Sequence, residues 1–133
     1  MPFTYKRRIH FHETDMAGIV HFSRFFPILE EAEQAFYREG IKISIQSVLK
    51  QGYIVPRVHA ECDYLNPLFA DDLIEVEVSL EKIGLSSLTM LFNITRQDTA
   101  IAKGKIVGVY VKDGKSVDIP EEIRERSQAF LKQ

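Results

Sequence analysis

The order of hydrophobic patterns restricts the fold of this chain more than any other feature, because one helical pattern is followed by several alternating ones. In residues 73–80 every even-numbered position is apolar and positions 75, 77 and 79 are polar. A period of two is typical of a strand with one buried face. Residues 53–65, 87–96 and 100–112 carry similar patterns, separated by turn residues at Asn66-Pro67, Gly84 and Gln97-Asp98. We therefore expect a mostly antiparallel sheet.

The helical pattern precedes these strands. Its apolar positions follow the helical period, and they are Phe25, Ile28, Leu29, Ala32, Ala35 and Phe36. Pro27 is tolerated only in the first turn, so the helix is predicted to begin between Ser23 and Phe26 and to end at Gly40. A further strand is predicted at residues 3–12, with His10 and His12 on its polar face. One long helix against about five strands is an α+β architecture.

Composition indicates an ordinary globular chain and excludes several functions. The 133 residues suit one domain spanning 1–133, with 27% charged and 45% hydrophobic residues. A net charge of −2 predicts no general affinity for nucleic acid or for an anionic membrane. The first residues lack the apolar core of a signal peptide, and no apolar run has the length of a membrane span. With Cys62 as the single cysteine, we expect a cytoplasmic protein.

The stretch between the first strand and the helix carries the chemistry. In residues 12–22, Asp15 lies a few positions before the predicted helix start, and Gly18 lies between Asp15 and the helix. Unpaired N–H groups at a helix start can hold a developing oxyanion while a carboxylate acts at the carbonyl carbon. Burial of Asp15 beside Met16, Ile19 and Val20 would favour this use. The alternative is that Asp15 serves only as a cap or turn residue.

This stretch resembles the 4-hydroxybenzoyl-CoA thioesterase family of hotdog-fold enzymes. The matching positions are Asp15, Gly18, Val20, Phe25, Glu30, Glu31 and Ala32, and the likeness continues through residues 56–60 and 64–68. The resemblance implies a hotdog fold, in which an antiparallel sheet of about five strands wraps one long helix and dimerises through the sheet. It also implies a homodimer or homotetramer, an acyl-CoA substrate bound between subunits, and no metal or organic cofactor.

The resemblance also assigns roles to individual residues. It implies that Asp15 acts as nucleophile or general base and that the backbone N–H of Phe22 binds the oxyanion. The residues it places around the substrate are Gly18, Val20, His21, Phe25 and His59. Four of them have a structural alternative: Gly18 as a left-handed turn residue, Phe25 as core, and the two histidines as packing or surface residues. Alternation along residues 53–65 places His59 on the same face as Arg57.

Two departures bear on the substrate. Many short-chain acyl-CoA members have histidine at the position of Phe22 and tyrosine at that of Phe11, so this chain is more similar to the aryl-CoA branch, which includes hydroxynaphthoyl-CoA enzymes. We therefore expect a thioesterase that hydrolyses an aromatic or short acyl-CoA to free acid and CoA. Two alternatives stay open, a non-catalytic acyl-CoA-binding protein and a hydratase or dehydratase on the same fold.

Overall fold

A five-stranded antiparallel sheet with one long helix against it forms the body of the protein. The structure is a computed structural model, and it describes all of residues 1–133. The sheet strands are β1 Phe3–Arg8, β3 Arg57–Tyr64, β4 Leu73–Ile83, β5 Ser87–Arg96 and β6 Thr99–Val109, in the spatial order β1-β4-β5-β6-β3. A small second sheet contains β2 Tyr53–Ile54, β7 Val111–Lys112 and β8 Lys115–Ser116. The predicted α+β class and antiparallel sheet are confirmed.

The long helix is continuous through three helical types. A 3-10 turn at Phe22–Arg24 leads into α1 Phe25–Ala35, and a π-helical turn at Phe36–Gly40 ends it. The predicted start and the end at Gly40 are confirmed, with Pro27 in the first turn of α1. Two short helices are α2 Ile45–Lys50 and α3 Glu121–Ser127.

The helix packs directly on the sheet because one strand lacks a side chain at the contact. A Cβ atom on Gly104 of β6 would lie 2.5 Å from Leu29 Cδ1. On β4, the even-numbered side chains from Ile74 to Leu80 are fully buried, as the alternation predicts. These residues belong to one core cluster of 25 buried residues. The helix axis is thereby fixed relative to the strands.

The first strand is shorter than predicted. It ends at Arg8, and residues Phe11–Glu13 form a 3-10 turn. The turn forms because the Glu13 carboxylate accepts a hydrogen bond from the His10 N–H, 2.8 Å away. Phe11 is consequently 81% exposed instead of lying on the buried face. His10 and His12 stack on each other, with ring centroids 5.3 Å apart, and do not lie on a strand face as predicted.

The segment 53–65 is also divided. Pro56 separates β2 from β3, and a bulge interrupts the pairing of β3 with β6 between Arg57 and His59. Arg57 lies opposite Gly108 and His59 opposite Val107, so the two side chains point to opposite faces of the sheet. The prediction that Arg57 and His59 share a face is therefore wrong. Arg57 points to the helix, and His59 points away from it.

Candidate active site

The loop that leads into the long helix is closed by backbone hydrogen bonds. The Asp15 N–H donates to the Ile19 carbonyl at 2.9 Å, and the Gly18 N–H donates to the Asp15 carbonyl at 2.9 Å. Gly18 adopts a φ of +82°, a region that favours glycine. A second contact joins this loop to the segment after β3, since the Val20 N–H donates to the Leu68 carbonyl at 2.9 Å. Asp15 is thus held in a tight turn.

A buried ion pair anchors the base of this loop. Arg7 Nη2 donates to Glu13 Oε1 at 2.8 Å, and the two side chains are only 8% and 6% exposed. The Glu13 backbone carbonyl accepts from the His21 N–H at 3.0 Å, which ties the start of the helix to the same residue. Burial by itself raises the pKa of the Glu13 carboxyl. The hydrogen bonds from Arg7 and from the His10 N–H, together with the Arg7 charge, lower this pKa by more than burial raises it. The net pKa lies below the ordinary value of 4.5.

Asp15 presents one carboxylate oxygen to solvent. Its Oδ1 accepts a hydrogen bond from the Ala17 N–H at 2.8 Å, an Asx turn, and this is the only hydrogen bond that the carboxylate makes within the chain. Asp15 and Met16 are exposed, and only Val20 among the expected neighbours is fully buried. The expected burial of Asp15 is therefore wrong for the single chain, because the turn projects its tip away from the core.

The helix begins with a free N–H. The N–H of Phe22, the first residue of the 3-10 turn, has no acceptor within the chain. The preceding residue caps the helix, since His21 Nδ1 accepts from the Ser23 N–H at 3.3 Å and lies 2.8 Å from Ser23 Oγ. In the neutral ring this leaves the proton on Nε2. The unpaired amide and the positive end of the helix dipole are therefore both available to an anion.

These groups surround one open cleft of about 610 Å³. Its lining residues are Asp15, Ile19, Val20, His21, Phe22, Phe25, Tyr64, Leu65, Asn66 and Pro67. The rings of Phe25 and Tyr64 meet edge to face at 4.9 Å. The structure thus brings together five of the seven predicted site residues and adds a wall from residues 64–67, to which sequence reasoning assigned no role. The turn residues Asn66-Pro67, directly after a predicted strand, were the available signal.

Two predicted site residues lie elsewhere. Gly18 does not line the cleft, and a Cβ atom there would meet no atom within 4 Å, so its φ alone explains the glycine. His59 lies on the outer face of β3, where its Nε2 is 2.7 Å from Glu61 Oε1. Gly18 therefore acts on the site only through its hydrogen bond to the Asp15 carbonyl, and His59 does not contact the groups around Asp15 in the single chain.

Comparison with known proteins identifies the family. A model of the thioesterase-like superfamily matches residues 9–127. The chain belongs to this superfamily. A curated Aquifex aeolicus protein, named only provisionally as an esterase, is 40% identical and aligns over 94% of this chain and 97% of its own length.

Two further relatives are named for one reaction. A 1,4-dihydroxy-2-naphthoyl-CoA hydrolase of Crocosphaera subtropica is 32% identical, over 96% of this chain and 90% of that protein. The crystal structure of a 1,4-dihydroxy-2-naphthoyl-CoA thioesterase from Synechocystis superposes with a TM-score of 0.89 at 22% identity, over 96% of each chain. The second comparison shows the fold alone, and it confirms the predicted hotdog architecture for this superfamily member.

The structure contains neither a cluster of metal-binding side chains nor a helix suited to a membrane. No three His, Cys, Asp or Glu side chains lie together in a geometry that could hold a metal ion. None of the helices combines the length and apolar character needed to cross a lipid bilayer.

The Arg7–Glu13 anchor leads to a stability prediction. A carboxylate whose pKa is lowered on folding stabilises the protein above its unfolded pKa, and this contribution disappears as pH falls through the folded pKa. We expect Glu13→Gln to lower the free energy of unfolding by about 1–3 kcal/mol at pH 7. The difference from the parent protein should shrink below about pH 4, as urea unfolding at several pH values would show.

The matched control is Glu122→Gln, which breaks the exposed i,i+4 pair with Arg126. It should change stability by less than about 0.5 kcal/mol. An equal loss in both variants, or a loss for Glu13→Gln that persists unchanged in acid, would show that the buried pair is not the anchor.

Proposed function

We propose that this superfamily member hydrolyses an aromatic acyl-CoA thioester to the free acid and CoA. The observation that carries the proposal is the convergence of a free carboxylate oxygen on Asp15 and a free N–H on Phe22 at one cleft. A thioester carbonyl placed between them would meet a nucleophile or base on one side and an oxyanion donor on the other. The Crocosphaera subtropica relative, which is 32% identical and named for 1,4-dihydroxy-2-naphthoyl-CoA, supports the aromatic substrate class.

The reaction can proceed by either of two routes. In the first, Asp15 takes a proton from water, the hydroxide oxygen bonds to the carbonyl carbon, and the C–S bond breaks to release CoA thiolate. In the second, Asp15 itself attacks, the C–S bond breaks to leave a mixed anhydride, and water hydrolyses that anhydride. In both, negative charge collects on the carbonyl oxygen, where the Phe22 N–H and the helix dipole stabilise it.

The cleft walls suit a planar acyl group. Phe22, Phe25 and Tyr64 present three aromatic rings to it, and Val20 contributes an aliphatic surface. Aromatic rings stack favourably on one another in offset or edge-on arrangements. His21 also lines the cleft with its Nε2 free of the capping bond, so we assign it a donor role toward the substrate.

We infer that the working unit is a homodimer or homotetramer. Strand β3 lies at one edge of the sheet and has β6 as its only neighbour, while Val58 on it is 63% exposed. A strand with one unpaired edge and an exposed apolar residue can pair with a second copy. His59 does not contact the groups around Asp15 of its own chain. Pairing through β3 would allow it to contact the substrate bound at the partner subunit. Gly18 would keep its role in shaping the turn.

Two further inferences complete the proposal. We take residues 1–133 as one thioesterase domain, supported by the single core cluster. We place the protein in the cytoplasm, supported by the unpaired thiol of Cys62, which suits a reducing compartment.

Removal of the Asp15 charge tests the reaction. We expect Asp15→Asn to lower kcat for naphthoyl-type or benzoyl-type CoA thioesters at least about a hundredfold, because a principal base or nucleophile is lost. Thiol release measures the rate. Asp113→Asn, in the hairpin turn between β7 and β8, is the control and should leave the rate unchanged. Binding without thiol release by the parent protein would indicate an acyl-CoA-binding protein, and a modified acyl chain with an intact thioester would indicate a hydratase.

The oxyanion donor can be removed separately. Phe22→Pro deletes the N–H at the first helical position, where proline is well tolerated, and His21 has the extended φ of −66° and ψ of 142° that a following proline requires. We expect kcat to fall about 100- to 1,000-fold relative to Phe22→Ala, which loses the same ring and keeps the N–H. Equal rates in the two variants would exclude the backbone amide as oxyanion donor.

The edge strand determines the expected oligomer. Light scattering should give at least twice the 15.3 kDa mass of one chain. Val58→Lys on β3 should shift the protein toward the monomer, because a lysine on an edge strand opposes pairing. Leu85→Lys, at an exposed leucine between β4 and β5, should have no effect. A monomeric parent protein, or equal dissociation in both variants, would contradict pairing through β3.

A further inference from the structure

The first strand carries an arginine on the face that packs against the helix. Arg7 of β1 pairs with Ile74 of β4, whose side chain is fully buried. Directly opposed residues of two antiparallel strands point to the same side of the sheet, so the Arg7 side chain lies between the sheet and the helix. It is only 8% exposed. A buried guanidinium is costly unless other groups compensate its charge and its N–H donors.

Two glutamates from different elements contact this guanidinium. Arg7 Nη2 donates to Glu13 Oε1 at 2.8 Å, in the turn before the Asp15 loop, and Arg7 Nε lies 3.2 Å from Glu31 Oε1 on α1. Tyr5, also on β1, donates its hydroxyl hydrogen to the same Glu31 oxygen at 3.0 Å. The nitrogens of a guanidinium lie in one plane, so the directions of the two contacts are fixed. Arg7 therefore sets the distance between the turn and the helix.

The hydrogen bonding of Arg7 is incomplete. Its third nitrogen, Nη1, is buried and has no partner within the chain. An unpaired buried donor lowers stability, and replacement of a buried ion pair by apolar side chains is often neutral or stabilising. Stability alone therefore does not explain an arginine at this position. The fixed separation of its two partners indicates a geometric role.

Both glutamates are joined to the start of the helix. The Glu13 carbonyl accepts from the His21 N–H at 3.0 Å, and the next N–H along the chain is that of Phe22. Glu13 also leads, through one residue, into the turn at Asp15. Glu31 and Phe22 belong to one continuous helical segment, so a displacement at Glu31 moves the helix start. The buried guanidinium is thus connected to both groups that face the thioester in the proposed reaction.

We propose that Arg7 is a positioning residue for thioester hydrolysis and that Glu31 is its partner on the helix. By holding Glu13 and Glu31 at one separation, it aligns the Phe22 N–H with the carbonyl oxygen of the substrate. Arg7 itself does not line the cleft. The inference rests on the proposed function, because this alignment matters only if an oxyanion forms beside the Phe22 N–H. A misplacement of about 1 Å in an active site can lower a rate about a hundredfold.

Two variants weaken the bridge. Arg7→Lys keeps the buried charge but replaces the planar fork by a single ammonium, which cannot hold both carboxylates in fixed directions. Glu31→Ala removes only the helix contact, at a side chain that is 44% exposed, so it tests the proposal should Arg7→Lys fail to fold. We expect each variant to lower kcat for aromatic acyl-CoA thioesters about tenfold or more, with KM within about twofold of the parent value.

The matched control is Glu30→Ala. Glu30 is exposed on the same helix and has no ion pair with Arg7. This variant should keep the kcat and KM of the parent protein. Unchanged kcat in both bridge variants, or a loss in Glu30→Ala as large as in Glu31→Ala, would overturn the proposal.

A double-mutant cycle separates positioning from general stabilisation. If the bridge acts through the Phe22 amide, its loss has little further effect once that amide is absent. We expect Glu31→Ala to lower kcat about tenfold in the Phe22→Ala background and less than about twofold in the Phe22→Pro background, where the N–H is missing. Equal losses in the two backgrounds would overturn the proposal.

Hydrogen exchange gives a readout that does not require activity. The His21 N–H bonds to the Glu13 carbonyl, so a displaced helix start should expose this amide more often. We expect it to exchange about tenfold faster in Glu31→Ala than in the parent protein, and at the parent rate in Glu30→Ala. A parent protein that releases no thiol would refute the proposed function and, with it, the catalytic role of Arg7. Unchanged His21 exchange in both bridge variants of an active parent would refute the positioning alone.

Discussion

The packing of the long helix across one face of the sheet is the constraint on which the rest of the structure depends. Leu29 can approach β6 only because Gly104 has no side chain, and this contact fixes the position of the whole helix. Its first amide then lies beside the Asp15 turn, and its last turns bring Tyr37 to Tyr110. A shift of the helix by a fraction of a turn would therefore disturb the cleft at Asp15 and the contact between the two tyrosines together.

Two buried glutamates, Glu13 and Glu33, have pKa values shifted in opposite directions by their surroundings. Glu13 and Glu33 each pair with an arginine from a neighbouring strand. Glu13 has enough donors that its pKa is lowered, whereas burial outweighs Arg57 and raises the pKa of Glu33. The first acid is satisfied and suits an anchor. The second retains one buried oxygen without a hydrogen-bond partner.

From the sequence, Asp15 could be either a turn residue or a group that acts on a substrate, and the structure is compatible with both roles at once. One carboxylate oxygen closes the turn through the Ala17 N–H, and the other has no partner in the chain. A residue can thus be a structural cap and still face a cleft with a free oxygen. The capping bond restricts the side-chain rotamer and so orients the free oxygen, which would lower the entropic cost of the role proposed for Asp15.

Local patterns in the sequence by themselves determined the antiparallel strands, the helix start near Pro27, its end at Gly40, and the turn that carries Asp15 and Gly18. These features depend on contacts between residues close in sequence, so periodicity and turn chemistry reveal them. The burial of Glu33 also had a signal, since it lies four residues after Leu29 on the buried stripe. Only the tertiary structure decided the end of β1 at Arg8, the bulge that turns Arg57 inward, the exposure of Asp15 and the cleft wall at residues 64–67. The bulge results from pairing between distant strands, where the geometry of the partner strand, and not local preference, selects the conformation. The other features depend on how the turns at Glu13 and Asp15 and the segment after β3 lie against the folded core, which local preference does not specify.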